Sequence, residues 1–132
     1  MIRYRCDHIH LKAENVEATA NWYVDKLGAK ITFEGKFKGS KVYYFDIGGF
    51  NFIVFGALEG ESGDSAPIPP DIRTRMGTDH FGFAVADVRA AVEDLRGKGV
   101  TIIEEPWSPR PGLTIAYIVA PDKARIELSQ RD

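Results

Sequence analysis

The sequence has little of what would mark a secreted, membrane or nucleic-acid-binding protein. Cys6 is its only cysteine, so no disulfide can form within the chain, and we expect a small buried side chain there rather than a nucleophile. No apolar run approaches the ~18 residues that a membrane helix requires, and the first residues lack the apolar core of a signal peptide. The formal net charge of −2 gives no electrostatic basis for binding nucleic acid or an anionic membrane. We therefore expect a cytoplasmic globular protein whose 132 residues form one domain, 1–132.

What the chain does contain is one pattern written twice. The segment 7–18, DHIHLKAENVEA, aligns with 79–90, DHFGFAVADVRA, 72 residues further on. The identical pairs are Asp7 and Asp79, His8 and His80, Val16 and Val88, and Ala18 and Ala90. Such self-similarity indicates two copies of one structural unit.

Each copy predicts the order β-α-β-β-β. Both begin with alternating apolar and polar residues, which indicate a half-buried strand. An N-cap residue follows, Asn15 or Asp87, and then apolar residues at helical spacing that end at Gly28 or at Gly97 and Gly99. Short β-rich runs complete each unit, at 30–37, 41–48 and 50–56 and again at 100–105, 113–119 and 124–129.

Two such units, 1–56 and 78–132, predict an α+β fold. We expect a curved, mostly antiparallel eight-stranded sheet around a concave site, with the helices outside. The segment 57–77 is rich in Gly, Pro and Ser, which favours a linker or loop and leaves a lid as the less common alternative.

The alternation within the strands predicts which side chains face the concave interior. If the bulky apolar faces pack on the helices, then His8, His80 and Glu127 all face the interior. Two histidines and one carboxylate form a common ligand set for a divalent metal with vacant coordination positions. A single inward histidine is more often a hydrogen-bonded pocket residue, so the repeated position carries the metal hypothesis.

Other candidates are less specific. One of Tyr43 and Tyr44 faces the interior, and parity alone does not say which. Trp107 and Arg110 are expected on a loop before the seventh strand, where they could bind an aromatic or anionic substrate or simply pack against the surface.

The chain resembles the vicinal oxygen chelate superfamily, which includes glyoxalase I, methylmalonyl-CoA epimerase, fosfomycin-resistance proteins, extradiol dioxygenases and bleomycin-binding proteins. The resemblance rests on CDHIHLKAENVEATANWYVDKLG, TDHFGFAVADVRAAVEDLRGKGV and GLTIAYIVAPDKARIEL. It implies His8, His80 and Glu127 as ligands of one divalent metal, which could be Fe, Mn, Ni, Co or Zn. A fourth ligand found in the glyoxalase and epimerase branches would fall at Ile53, which has no ligating atom.

The resemblance implies a metal-dependent lyase or isomerase of the glyoxalase type that binds neighbouring oxygens of a small metabolite. His10 is about 6.6 Å along the strand from His8 on the same face, so it is a candidate proton carrier or a residue of the pocket wall. The alternatives are an extradiol-type Fe(II) dioxygenase, a fosfomycin-resistance-like transferase and a metal-free drug-binding protein. The expected partners are a small-molecule substrate and a second copy in a homodimer.

Overall fold

The computed structural model describes residues 1–61, 63 and 76–132. The chain forms two compact units, Met1–Asp64 and Ser65–Asp132. Most of the segment 57–77 lies outside the described residues, so its role as a linker or lid stays a prediction, as does the grouping of both units into one domain. No helix among the described residues is long and apolar enough to cross a membrane.

Each unit has the βαβββ order that the repeat predicts. Unit 1 contains β1 (His8–Lys12), α1 (Val16–Leu27), β2 (Lys30–Phe37), β3 (Ser40–Ile47) and β4 (Phe50–Phe55). Unit 2 contains β5 (Phe81–Ala84), α2 (Val88–Gly97), β6 (Ile102–Arg110), β7 (Leu113–Val119), a 3₁₀ turn (Pro121–Lys123) and β8 (Arg125–Arg131).

The eight strands form two mixed sheets of four. Their orders are β1-β4-β3-β2 and β5-β8-β7-β6, so the first strand of each unit lies beside the last. In each sheet this outer pairing is parallel and the other two pairings are antiparallel. The α+β class and the repeated unit are thus confirmed, with four hydrogen-bonded strands in each unit.

The helices begin where the sequence predicts, for the same physical reason in both units. Asn15 accepts a hydrogen bond from the backbone N–H of Ala18, and Asp87 accepts one from Ala90, both at 3.0 Å. These side chains satisfy N–H groups that have no partner within the helix. Gly28 ends α1 with φ of 70°, a left-handed conformation that other residues adopt only with strain.

One face of each sheet packs against the helix of its own unit. In unit 1 the ring of Tyr23 on α1 stacks on Phe45 at 4.9 Å and on Phe52 at 6.3 Å between ring centres. In unit 2 the buried side chains of α2 pack on the strands; they are Val88, Val92 and Leu95. Residues of opposite parity on each strand therefore lie on the face away from the helix.

Two expectations from the sequence are wrong. Cys6 is exposed rather than buried, since it precedes β1 and lies outside the sheet. Trp107 and Arg110 lie within strand β6 and not on a loop. Pro106 and Pro109 are compatible with a strand here, because β6 is an edge strand with irregular register, where the missing proline N–H is tolerated.

Candidate functional site

The face of unit 2 away from α2 brings His80, Glu127 and Tyr117 together. The register sets Glu127 opposite Gly82 on one side and Tyr117 on the other, so the glycine leaves that side of the strand uncovered. The His80 Nε2 atom lies 3.1 Å from Glu127 Oε2. His80 directly precedes β5, so its ring lies at the end of the strand, two residues before Gly82.

Two hydroxyl groups hold the Glu127 carboxylate. Tyr117 donates to Oε2 and Ser129 donates to Oε1, each at 2.6 Å. Burial acts to raise the pKa of Glu127, but the bonds from Ser129 and Tyr117, with His80 nearby, outweigh it and lower this pKa. The pKa of Tyr117 is raised, first by burial and then by the hydrogen bond to Glu127. Glu127 is therefore an ionised carboxylate with a fixed orientation.

A second carboxylate fixes the opposite side of the His80 ring. Asp79 Oδ2 lies 2.7 Å from His80 Nδ1, and the other oxygen, Oδ1, accepts from Arg125 Nη2 at 2.7 Å. An ionised carboxylate only accepts hydrogen bonds, so this contact places a proton on Nδ1. The other ring nitrogen, Nε2, faces Glu127.

These contacts fit a bound divalent metal. A lone pair on Nε2 and a carboxylate oxygen at 3.1 Å repel each other unless a proton or a cation neutralises them. The same separation suits two neighbouring ligand atoms, each about 2.1 Å from a shared metal ion. A carboxylate behind the histidine is also the usual outer partner of a metal-bound imidazole.

Unit 1 repeats part of this arrangement. Asp7 Oδ2 lies 2.8 Å from His8 Nδ1, which leaves the His8 Nε2 atom available in the same way. At the position equivalent to Glu127, however, unit 1 has Ile53, which pairs with His10 in the register. The absence of a fourth ligand at Ile53 agrees with the sequence comparison of the two units.

His10 lies beside His8 on the face away from α1. Its ring is 4.1 Å from that of Phe55, and the Lys12 ammonium lies 4.3 Å from the same phenyl ring. Burial, Lys12 and His8 lower the pKa of His10, in that order of size, and Glu61 opposes them. His10 is therefore a neutral imidazole next to an aromatic surface.

The two tyrosine candidates of unit 1 lie on different faces of the sheet. Tyr43 shares the face of Phe45, is buried, and donates from its hydroxyl to Glu34 Oε1 at 3.2 Å. Tyr44 lies on the face of His10, one strand beyond Ile53, and its ring contacts Phe33 at 5.2 Å. Tyr44 thus lies on the sheet face of His10 and Tyr43 on the helix side, and a catalytic role for either stays a prediction.

In unit 2, Trp107 on β6 pairs with Ile115 on β7, and Ile115 pairs with Ser129 on β8. Trp107 is therefore level with Ser129, two residues along the sheet from Glu127. Trp107 is 46 % exposed. Arg110 is exposed at the end of β6, opposite Leu113. A substrate-binding role for either residue stays a prediction.

The structure shows two of the three predicted ligands together. His80 and Glu127 are in contact, whereas His8 belongs to the other unit. Across 1–61, 63 and 76–132, no group of three or more His, Cys, Asp or Glu side chains is placed to hold a metal ion. Asp79 does not complete such a group because it lies on the Nδ1 side of His80, away from Glu127. The set of His8, His80 and Glu127 stays a prediction.

Sequence reasoning missed the supporting residues Asp79, Arg125 and Ser129. A signal for each was present. Asp79 is identical to Asp7 in the repeat, and Arg125 and Ser129 flank Glu127 at the alternate positions of the same strand.

Comparisons with known proteins agree with this architecture. A model of the Glyoxalase/Bleomycin resistance protein/Dioxygenase superfamily matches residues 5–128. The chain is 26% identical over 130 residues to the uncharacterized protein YwkD of Bacillus subtilis (strain 168), covering 94% of each. A glyoxylase/bleomycin resistance protein/dioxygenase domain from Frankia sp. EAN1pec has a TM-score of 0.79 at 18% identity, over 99% of this chain and 100% of that one.

A third relative was solved with a metal. The fosfomycin resistance protein FosX of Listeria monocytogenes, complexed with Mn(II) and a sulfate ion, has a TM-score of 0.72 at 18% identity, over 99% of this chain and 95% of that one. At such low identity the two solved structures establish the fold, and the family match spans nearly the whole sequence. The chain therefore belongs to the glyoxalase/bleomycin resistance protein/dioxygenase superfamily.

Proposed function

We propose that this protein is a divalent-metal-dependent enzyme of the glyoxalase type, a lyase or isomerase that acts on a small metabolite with neighbouring oxygen atoms. The observation that carries the proposal is the contact of His80 with Glu127, together with an aspartate behind each repeated histidine, Asp79 behind His80 and Asp7 behind His8. Such anchoring is expected of metal ligands and is not needed for a solvated surface histidine.

In this proposal His80 and Glu127 hold the metal together with His8, which comes from the same chain or from the partner in a homodimer. When bound, the metal supplies Lewis-acid stabilisation of negative charge that develops on a substrate oxygen. Tyr117 and Ser129 keep Glu127 in one orientation through their hydrogen bonds. Asp79 keeps the Nε2 lone pair of His80 directed at the same place.

His10 is our candidate for the proton carrier. It lies on the same sheet face as His8, two residues along β1, and the ring of Phe55 restricts its orientation. A proton carrier next to the ligands must reach the substrate without binding the metal itself. Tyr44 and Phe33 extend this face as an aromatic surface on which an apolar part of the substrate could pack.

Metal analysis tests the proposal. We expect protein purified without a His tag or chelator to contain stoichiometric Fe, Mn, Ni, Co or Zn, and we expect His80→Ala to lose it. The matched variant His10→Ala should keep the metal and lose turnover. A wild-type protein that stays metal-free after loading would refute the enzyme proposal and favour a metal-free binding protein.

Assays on the loaded protein then separate the enzyme classes. Oxygen consumption with catechols would identify an extradiol-type dioxygenase, and consumption of fosfomycin with thiol or water would identify a fosfomycin-resistance-like activity. Isomerisation or lyase activity on 2-oxoaldehyde adducts or 2-substituted thioesters without oxygen uptake is the result expected here.

A further inference from the structure

The face of unit 1 away from α1 carries a group of aromatic rings that remain exposed. Phe33 is 50 % exposed, Phe37 47 % and Tyr44 36 %, and together with Phe55 they form what we call the aromatic patch. Phe33 lies 5.2 Å from Tyr44, and Phe37 lies 5.7 Å from Phe55, measured between ring centres. Contiguous apolar surface that stays in contact with water is unfavourable and is typical of a binding site.

The aromatic patch continues to the candidate site. Phe33 on the edge strand β2 pairs with Tyr44 on β3, and Tyr44 pairs with Ile53 on β4. Ile53 pairs in turn with His10 on β1. Directly paired residues of neighbouring strands have their side chains on the same face of a sheet. A ligand on this face therefore has an apolar path from β2 to the candidate proton carrier.

Gly35 determines how the Phe33 ring lies. A Cβ atom on Gly35 would be 2.6 Å from Cζ and 2.8 Å from Cε1 of Phe33, closer than such atoms approach in proteins. The ring therefore lies flat over the backbone of its own strand, in space that any other residue at position 35 would fill. The φ of Gly35 is not in the left-handed region, so the backbone does not require glycine here, whereas the Phe33 ring does.

A lysine in an unusual backbone conformation lies at one end of the aromatic patch. Lys38 and Gly39 form the two-residue turn between β2 and β3, with φ of 48° and 80°. Asparagine or glycine is preferred at the first of these positions, because other residues are strained there. The Lys38 ammonium lies 5.4 Å from the centre of the Phe37 ring. The strain is consistent with a lysine that serves through its side chain.

The charges around this end of the patch favour an anion. The Lys12 ammonium lies 4.3 Å from the centre of the Phe55 ring and donates to Glu61 Oε1 at 3.0 Å. Because Glu61 is bonded to Lys12, Lys38 gives this end of the patch a net positive charge.

We propose that the aromatic patch binds a planar aromatic anion, whose ring stacks against Phe33 and Phe37 and whose negative group lies at Lys38. Aromatic rings pack on one another in offset or edge-to-face arrangements, and an ammonium group attracts a carboxylate as a compact charge. Gly35 is a positioning residue that acts through the Phe33 ring. The identity of this anion as the substrate rests on the proposed function, whereas its binding needs no metal.

Binding of 2-naphthoate to the metal-free protein, followed by the fluorescence of the naphthalene ring, tests this proposal. We expect saturable binding at one site. Naphthalene-2-methanol, which has the rings without the charge, should bind about 3- to 5-fold more weakly. Benzoate should compete with 2-naphthoate, and cyclohexanecarboxylate, which has the charge without the aromatic ring, should not.

Variants of the ring and of the glycine below it test the arrangement. Phe33→Leu and Gly35→Ala should each weaken 2-naphthoate binding about 3- to 10-fold. The double variant should bind no more weakly than Phe33→Leu alone, because Gly35 acts only through that ring. Gly97→Ala is the matched control, since its added Cβ atom meets nothing within 4 Å, and it should bind like the wild type.

Lys38→Asn should change affinity and stability in opposite directions. We expect 2-naphthoate binding to weaken about 3- to 5-fold, because the charge is lost. The midpoint of thermal unfolding should rise by about 2 to 4 °C, because asparagine is less strained at this φ. Lys36→Asn is the matched control, because Lys36 pairs with Lys41 on the opposite face of the sheet, and it should leave the affinity unchanged.

A wild-type protein that does not bind 2-naphthoate would overturn the proposal, and so would binding that Phe33→Leu leaves unchanged. The proposal is equally overturned if sedimentation shows a dimer that Phe33→Leu dissociates and that excludes 2-naphthoate, because the patch is then an interface between two copies. If Gly35→Ala does not fold, Phe33→Leu and Lys38→Asn decide: reduced affinity in both supports the proposal, and unchanged affinity in either overturns it. Failure of the metal proposal alone would appear as 2-naphthoate binding by a protein that takes up no metal.

Discussion

At the scale of single residues, the Glu127 carboxylate is the most constrained group of the candidate site. It receives two short hydrogen bonds from hydroxyl groups and lies beside His80. Both hydroxyl protons are donated to this carboxylate, and the Tyr117 hydroxyl also lies 3.5 Å from His80 Nε2. Removing one donor leaves a partly buried negative charge with less compensation.

Replacing Tyr117 by phenylalanine measures that compensation. We expect the free energy of unfolding to fall by about 1 to 2 kcal/mol, since a hydrogen bond to a charged group is lost while the ring is kept. Urea unfolding at neutral pH is the measurement. Tyr44→Phe is the matched control, because its ring contact with Phe33 survives, and it should change stability by less than about 0.5 kcal/mol. Equal effects of the two substitutions would contradict this account.

The histidines show how far residue-level prediction reaches. His8 and His80 stood out because they occupy the same position of the repeat, and in the structure each contacts the aspartate that precedes it, Asp7 or Asp79. Arg125 was not singled out, because a charged residue on a strand is exposed far more often than buried. Its burial depends on a tertiary partner, Asp79, 46 positions away. Local patterns do not encode such a pairing.

At the scale of elements, the two helices end differently, and their glycines predict opposite responses to alanine. Gly28, after the end of α1, has φ of 70°. Gly97 is the last residue of α2, and its φ is not in the left-handed region. A Cβ atom at either position would meet nothing within 4 Å, so the backbone conformation alone decides the outcome.

We therefore expect Gly28→Ala to lower the free energy of unfolding by about 1 kcal/mol, because alanine is strained in the left-handed region. Gly97→Ala should be neutral or should raise it by up to about 1 kcal/mol, because alanine favours helix and reduces the freedom of the unfolded chain. Thermal or chemical unfolding of both variants gives the sign. Destabilisation by both to the same extent would mean that contacts, not backbone angles, govern these positions.

Strand β6 is the element that the sequence predicted least well. The β-rich run at 100–105 suggested a short strand, but pairing with β7 continues to Arg110. Pro106 and Pro109 interrupt the local pattern, and the register shifts around them. An edge strand can include prolines because only one of its sides pairs. Edge position is a property of the sheet, so it could not be read from these residues alone.

At the scale of the whole molecule, the first and last strands of the two units pair in the same register but carry different side chains at the equivalent positions. His8 pairs with Asn51 and His10 with Ile53, and the equivalent positions in unit 2 give Gly82 opposite Glu127. The repeat predicted this equivalence because strand alternation and helix caps are local features. Whether His8 of unit 1 binds the same metal as Glu127 of unit 2 does not follow from local patterns, and experiment decides it.

Metal-linked stability provides that experiment. A metal that binds the folded protein raises its free energy of unfolding by about 2.7 kcal/mol at 100 times its Kd. We expect this gain for the wild type in Zn²⁺ and expect His80→Ala and Glu127→Gln to abolish most of it. If His8 is the third ligand, His8→Ala loses a similar share while His10→Ala keeps the gain. A His8→Ala protein that retains the full gain would restrict the site to the ligands of unit 2, because a lost ligand must weaken the binding on which the stabilisation depends.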